Sequence, residues 1–357
     1  MTTRFTSLEI CAGAGAQALG LERAGFDPVL LLDNDADACR TLRANRPQWD
    51  VQLMDLLDFD PLDDESTDLR HACDVDLLSG GMPRIKASAG VKRRGDDHER
   101  ELLRAAVSLV TAVRPKAVLL ENLDGLVNSD GFAEDRSWIE AELENVGYQP
   151  SWRVLDASDF DVPQHRRSGF LVALGEPYRR HFSWPEPTGE PPATVGETLR
   201  ATMAANGWPG AAAWAAGANG PGPALVGGSK NRGGADLGPS GSKRAWAALG
   251  VEAKSMSDDS PPADFPLDER PRISVTQAAL LQRIPESWHI TGRKTAAYRQ
   301  IGHALPPPVA ETVGRAIAAA LAAGRQEQER VTHPPGDGTR RLNAGYSVGD
   351  PGSLRPR

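Results

Sequence analysis

The chain is poor in cysteine and aromatic residues and has no long apolar run. Its three cysteines, Cys11, Cys39 and Cys73, are an odd number without metal-ligand spacing, so the sequence predicts neither a disulfide framework nor a metal site. No segment approaches the roughly 20 apolar residues of a membrane span, and the first residues lack the apolar run of a signal peptide. We therefore expect a soluble, cytoplasmic protein that makes no membrane contact.

Excess positive charge is also lacking, since the formal net charge over 357 residues is −8. This balance argues against indiscriminate binding to nucleic acid, although net charge hides local clusters. Basic residues do crowd two stretches, and such clusters form either solvated faces or phosphate-binding surfaces. The first contains Lys86, Lys92, Arg93, Arg94, Arg100 and Arg104, and the second contains Lys230, Arg232, Lys243 and Arg244.

What the sequence does contain is an alternation of short apolar strands with helical segments. This pattern predicts a doubly wound α/β sheet whose ligands lie along the carboxyl ends of the strands. The predicted strands are residues 7–11, 28–32, 51–54, 75–78, 117–120, 152–155 and 169–174. From residue 177 to about 266, Pro, Gly and Ala dominate and periodicity is poor, which predicts a loop-rich insertion.

A glycine-rich turn follows the first predicted strand. Gly13 and Gly15 stand between this strand and a helix, and Asp33 ends the second strand about 20 residues later. Glycines allow a ligand to approach the backbone closely, and a strand-end carboxylate can accept hydrogen bonds from a ribose diol. The pattern indicates a nucleotide-type cofactor, with a plain tight turn and helix cap as the alternative.

Several further motifs follow in a fixed order, and together with the glycine-rich turn they resemble the DNA cytosine-5 methyltransferase family. The resemblance covers most of residues 5 to 322. The motifs are Gly80-Gly81-Met82-Pro83, Glu121-Asn122-Leu123, Val162-Pro163-Gln164 followed by Arg166, and Tyr298-Arg299-Gln300-Ile301-Gly302 followed by Ala304 and Pro306-Pro307-Pro308-Val309-Ala310.

The resemblance implies a class I S-adenosylmethionine-dependent methyltransferase fold, Rossmann-like and doubly wound, that carries a small loop-rich target-recognition domain. It divides the chain into a methyltransferase part at 1–177, the target-recognition insertion at 178–266 and a return to the methyltransferase domain at 267–324. The remaining residues, 325–357, are predicted to be a disordered tail. The implied partner is double-stranded DNA, and beside these motifs the two basic clusters favour phosphate contacts.

The resemblance also implies roles for individual residues. Glu121 would hold the edge of a flipped cytosine, and Arg166 would be an active-site arginine. The implied cofactor is S-adenosyl-L-methionine. The residues implied to bind it are Cys11, Gly13, Gly15, Asp33, Asn34, Asp55, Leu56, Pro83 and His303.

The sequence departs from the family where the chemistry occurs. In the family a cysteine follows the Gly-Gly-x-Pro turn, and its thiolate adds to C6 of cytosine so that C5 can attack the methyl group. Arg84 occupies that position here, and a guanidinium stays protonated and cannot add to C6. Ile85, Lys86 and Ala87 replace the usual companions of the cysteine, Ser168 replaces a second arginine, and His303 replaces an asparagine.

We therefore expect an S-adenosylmethionine-binding, DNA-binding protein, monomeric, in which the thiolate route is lost or altered. Alternatives are an active cytosine-5 methyltransferase with an atypical site, a methyltransferase for another acceptor, and a non-catalytic regulatory protein. Glu121 has a structural alternative as a strand-end acid paired with an arginine, and His165 is expected at the surface. Restriction or regulatory partners are left open.

Overall fold

The computed structural model describes residues 4–62, 70–85, 96–227 and 234–332, and its centre is a seven-stranded sheet. The strand order is β3-β2-β1-β4-β5-β8-β6, with β1 to β5 parallel and β8 antiparallel to both of its neighbours. The strands are β1 Phe5–Ile10, β2 Phe26–Asp33, β3 Val51–Leu53, β4 Leu77–Gly81, β5 Ala117–Leu123, β6 Gln149–Asp156 and β8 Arg167–Leu174. The predicted doubly wound α/β sheet is confirmed.

Helices cover both faces of this sheet, which is why β5 reads as a continuous apolar run before its polar end. One face packs against α1 (Ala16–Ala24) and α11 (Pro307–Thr332), and the other packs against α3 (Asp96–Val113) and α5 (Ala133–Asn145). The helix α1 lies very close to α11, because a Cβ on Gly20 would come within 2.4 Å of the carbonyl oxygen of Pro307. The remaining helices of this part are α2 (Ala36–Asn45) and the single turn α4 (Gly125–Asn128).

The insertion is more ordered than its composition predicts. It contains α6 (Val195–Met203), α7 (Ala211–Gly217) and α8 (Ser240–Ala248), and its two-residue strand β9 (Gly222–Pro223) pairs with β7 (Gln164–His165). Its apolar side chains, including the fully buried Trp246, form one core with α9 (Val275–Leu281), α10 (Lys294–His303) and α2. The expectation of loops therefore holds only for the irregular segments between these short helices, because packing comes from scattered tryptophans rather than from a periodic stripe.

The methyltransferase domain was expected to end at Gly324, but its last helix continues to Thr332. Residues 325–332 are therefore helical rather than part of a disordered tail. Polar contacts that composition does not reveal fix this extension: Arg325 pairs with Asp76 at 2.5 Å, and Glu327 accepts from Arg180 at 2.9 Å. Residues 333–357 lie outside the described residues.

The two predicted basic clusters and the segment after the Gly-Gly-Met-Pro turn lie partly outside the described residues. The residues outside are Lys86, Lys92, Arg93, Arg94, Lys230 and Arg232 of the clusters, and Ala87 of the segment after the turn. Within the part of the chain that the structure describes, no helix is both long enough and apolar enough to cross a bilayer.

Candidate cofactor and base-binding site

The site predicted from the motifs lies at the carboxyl edge of the sheet, where β1 and β4 are neighbours. At this point the strand order reverses, since β2 and β3 follow on one side of β1 and β5 follows on the other side of β4. In open α/β sheets ligands bind in the crevice outside such a switch point. Gly81 at the end of β4 is aligned with Glu121 on β5. We call the part of the crevice beside β1 the cofactor half and the part beside β5 the base half, with Gly81 between them.

The glycine-rich turn of the cofactor half has the geometry that its glycines predict. Gly13 and Gly15 adopt φ angles of +55° and +81°, which disfavour other residues. A Cβ on Gly13 would meet no atom within 4 Å, so there is open space beside this residue. The indole of Trp288 donates to the carbonyl oxygen of Ala14 at 3.0 Å, and Leu42 packs against Gly15. The turn is thus held rigidly from behind.

Asp33, at the end of β2, helps to shape this turn. Its Oδ2 accepts from the backbone N–H of Gly13 at 2.8 Å, and its Oδ1 accepts from that of Asp35 at 2.7 Å. Asp35 is a second carboxylate at the same edge, which sequence reasoning did not single out. It caps α2 through the N–H of Asp37 and pairs with Arg299 at 3.1 Å. The sequence signal that could have revealed Asp35 is the run Asp33-Asn34-Asp35 at the end of β2.

The next strand end supplies another acid. Asp55 accepts from the side chain of Asn34 at 2.9 Å and from the N–H of Leu57 at 3.0 Å. These hydrogen bonds, the one from Asn34 foremost, hold the pKa of Asp55 below its ordinary value. Leu56 beside it is buried. The structure therefore brings Asn34, Asp55 and Leu56 together at the end of β3, as predicted.

The other predicted cofactor residues surround the same edge. Cys11 follows β1 directly, with a φ of +48°. The carbonyl oxygen of Pro83 accepts from Asn122 at 3.1 Å. His303 ends α10 with an exposed side chain, and its carbonyl oxygen accepts from Arg166 at 3.3 Å.

The cofactor half fits S-adenosylmethionine. The N-cap of α1 is Gly15, which offers no side chain to the first N–H groups of the helix. The buried Oε1 of Gln17, in the same turn, has no hydrogen-bond partner among the described residues. The turn thus offers donors and one acceptor beside the open space at Gly13. When bound, the cofactor supplies an electrophilic methyl group on a sulfonium.

The base half is built around Glu121, which is almost completely buried on β5. Burial raises the pKa of its carboxyl above the ordinary value, against the opposing effects of Arg166, Arg84 and the nearby Ser168. Ser168 is close enough to favour the charged form but lies outside hydrogen-bonding geometry. Within the described part of the chain, Oε1 of Glu121 and Oγ of Ser168 therefore have no partner. Unpaired buried polar atoms point to a ligand that completes them.

Arg166 was predicted to be an active-site arginine, and the structure gives it a joining role as well. Its Nη1 donates to the carbonyl oxygens of Leu225 at 3.1 Å and Gly302 at 3.0 Å, so it links the insertion to α10. Burial lowers the pKa of Arg166 to about 10, which leaves it charged at neutral pH. Its Nε lacks a partner among the described residues and is thus a donor available to a ligand.

Arg84 stands at the mouth of this pocket. The turn before it is held to β5, because the N–H of Met82 donates to the carbonyl oxygen of Glu121 at 3.0 Å. The side chain of Arg84 is exposed while that of Ile85 is buried. The charge of Arg84 is near enough to act on both buried groups: it partly offsets the raised pKa of Glu121 and helps to lower the pKa of Arg166. The position after the Gly-Gly-Met-Pro turn therefore presents a cation to the pocket.

None of the three cysteines has the properties of a nucleophile. Burial raises the pKa of Cys11 to about 12 and that of Cys39 to about 11, and it also raises that of Cys73. Their thiols are therefore protonated at neutral pH, whereas the thiolate is the reactive form. Cys73 also precedes β4, at the opposite edge of the sheet from the pocket.

Comparison with known proteins shows the family of this chain. The model of the C-5 cytosine-specific DNA methylase family matches residues 5–217 and 229–319, and the chain belongs to that family. It is 46% identical to the type II methyltransferase M.NaeI of Lentzea aerocolonigenes, over 88% of this chain and 75% of the relative. It is 41% identical to the type II methyltransferase M.NgoMIV of Neisseria gonorrhoeae, over 89% and 98%. The cofactor of the family is S-adenosylmethionine.

Solved structures agree at the level of the fold. A DNMT2 mutant of Spodoptera frugiperda aligns with a TM-score of 0.59 and 13% identity, over 88% of this chain and 99% of that one. The Dnmt2 methyltransferase of S. pombe aligns with a TM-score of 0.56 and 16% identity, over 90% and 99%. At such identities the likeness concerns the fold alone.

Proposed function

We propose that this protein binds S-adenosylmethionine and double-stranded DNA, holds a flipped cytosine in the Glu121 pocket and does not methylate C5 by the thiolate route. The observation that carries the proposal is Arg84, a permanent cation at the position from which the family's nucleophile acts. A guanidinium has no lone pair to add to C6, and the thiols of this chain are protonated.

Retention of the pocket around Glu121 favours binding over complete loss of function. A buried carboxyl with an unpaired oxygen can accept from a base edge, and when protonated it can also donate. The unpaired Nε of Arg166 offers a donor on the same side. These groups fit a planar base with both donors and acceptors, which is how a flipped base is held. Type II methyltransferases among the relatives make a restriction partner the natural context.

The test is an incubation of the full chain with isotopically labelled S-adenosylmethionine and mixed DNA, RNA and protein acceptors, followed by mass analysis. We expect cofactor binding by calorimetry, duplex binding by fluorescence anisotropy and no methylated cytosine. Methylcytosine in the DNA would support the atypical active enzyme instead. Methyl transfer into RNA, protein or an amine would support the enzyme for another acceptor. Absence of cofactor binding would refute the whole proposal.

A further inference from the structure

Four buried polar side chains form a continuous chain of hydrogen bonds behind the cofactor half, in a layer that is otherwise apolar. Gln17 donates from Nε2 to Oγ of Ser79 at 3.0 Å. Ser79 in turn donates to Oε2 of Glu9, and Ser7 donates to Oε1 of Glu9 at 3.1 Å. All four are more than nine-tenths buried. None of them belongs to the motifs that identified the family. Gln17 follows the turn at Gly13 and Gly15, and Ser79 precedes Gly80.

This chain of hydrogen bonds fixes the orientation of the Gln17 amide. Each hydroxyl has one proton, and Ser79 gives its proton to Oε2 of Glu9, which accepts whenever it carries no proton itself, so Ser79 then accepts from Gln17. The NH₂ group of Gln17 must therefore face Ser79, and Oε1 must point away from it. In the part of the chain that the structure describes, this oxygen has no partner. A buried acceptor that is oriented and left unpaired calls for a donor from outside the protein.

The unpaired oxygen faces the crevice at the switch point of the sheet. A Cβ on Gly81 would lie 3.6 Å from Oε1, so the oxygen is directed at the surface that this glycine leaves bare. Gly81 ends β4, which is hydrogen-bonded to β1 just below the glycine-rich turn. Gln17 also belongs to the first turn of α1, whose N-cap Gly15 provides no capping side chain. One acceptor thus lies beside several backbone donors.

The chemistry that matches this set is an α-amino-acid group, in which an ammonium is next to a carboxylate. The N–H groups of a helix N-terminus favour the carboxylate, and an amide oxygen accepts from the ammonium. We propose that Gln17 binds the α-ammonium of the cofactor's amino-acid end through Oε1, and that Ser79 and Glu9 hold the amide in that orientation. This inference rests on the proposed cofactor binding and assigns its recognition to residues of this chain.

The test compares two ligands by calorimetry on the full chain: S-adenosylhomocysteine and its deaminated analogue, in which hydrogen replaces the α-ammonium. Wild-type protein is expected to prefer S-adenosylhomocysteine. Gln17→Leu, which keeps a side chain of similar size and removes the acceptor, is expected to lower the affinity for S-adenosylhomocysteine by about 10-fold or more. The same variant is expected to leave the affinity for the deaminated analogue almost unchanged.

Ser79→Ala is the second variant, because it leaves Gln17 in place and only frees its amide to rotate. It is expected to reduce the preference for the ammonium by a smaller factor, with circular dichroism and thermal melting used to show that both variants fold. Equal weakening of both ligands would show that Gln17 only supports the turn, and unchanged affinities would show that a water satisfies Oε1; either result overturns the inference. If wild-type protein binds neither ligand, the proposed cofactor binding itself fails.

Discussion

The two halves of the crevice differ in what the sequence has preserved. In the cofactor half, the glycines with positive φ and the strand-end acid Asp33 lie where the sequence predicted them, and the indole of Trp288, which the sequence did not predict, supports the turn. In the base half the buried acid Glu121 remains, but Arg84 stands where the family has its nucleophile. The proposed cofactor binding and the bond formation of the family thus depend on different residues, on the two sides of Gly81.

The largest expected effect concerns covalent chemistry in the base half. We expect no covalent adduct between the unmodified protein and duplex DNA that contains 5-fluorocytosine, because such an adduct requires a thiolate at C6. Denaturing gel electrophoresis followed by mass mapping measures this. Arg84→Cys alone is expected to form little adduct, since Ile85 and Ser168 replace the residues with which the family aligns the bound base and the thiol. A stable adduct of the unmodified chain at Cys11, Cys39 or Cys73 would contradict the proposal.

The next effect concerns the pH dependence of stability behind the cofactor half. Burial raises the pKa of Glu9 from 4.5 to about 7, and the hydroxyls of Ser79 and Ser7 that face it only partly oppose this. The folded protein therefore binds the proton more tightly than the unfolded chain does. The contribution of Glu9 to stability is therefore greatest below about pH 4.5, falls as the pH rises towards 7 and then levels off. The free energy of unfolding contributed by Glu9 falls by about 3 kcal/mol over this range, at roughly 1.4 kcal/mol per unit of pKa shift.

Glu9→Gln should remove this slope, because an amide does not titrate in that range. The free energy of unfolding of the variant relative to wild type is expected to increase between pH 5 and 7.5, as measured by urea denaturation at both values. Glu134→Gln, at an exposed site, is the matched control and should leave the slope as it is. A slope in Glu9→Gln equal to that of wild type would refute the assignment.

A smaller effect is expected at the strand-end acid Asp33. Asp33→Ala should weaken the binding of S-adenosylhomocysteine by about 1.5–3 kcal/mol, the range for hydrogen bonds to a charged group. The loss has two sources, since Asp33 is predicted to bind the ribose and also holds the N–H of Gly13. Calorimetry measures the affinity, with Asp27→Ala at the other end of β2 as the control. Equal losses in both variants would point to the strand rather than to the site.

The smallest expected effect concerns contact with the DNA backbone. Both Lys243 and Arg244 were predicted to meet phosphates, but Lys243 pairs with Asp236 at 2.8 Å while Arg244 is exposed. Arg244→Ala should therefore flatten the slope of log affinity against log salt by about one unit, and Lys243→Ala should change it less. Fluorescence anisotropy at several salt concentrations measures both slopes. An unchanged slope in Arg244→Ala would place this residue on a solvated face.

The fold, the position of the crevice and the residue at the nucleophile position could all be predicted from the sequence alone. These follow from local signals: short apolar strands, glycines that must adopt positive φ, and motifs whose order is kept from Gly13 to Pro308. The strand-end acids were equally visible, because a carboxylate that follows an apolar run lies at the carboxyl edge of a parallel sheet.

Features that depend on contacts between residues distant in sequence became visible only in the folded structure. It showed that Arg166 joins the insertion to α10, that Lys243 is already paired and that the insertion has a packed core around Trp246. It also brought Glu9, Gln17 and Ser79 together, 62 residues separating the last two. No pattern in one segment reveals such a cluster, because its hydrogen bonds exist only after β1, β4 and α1 have packed.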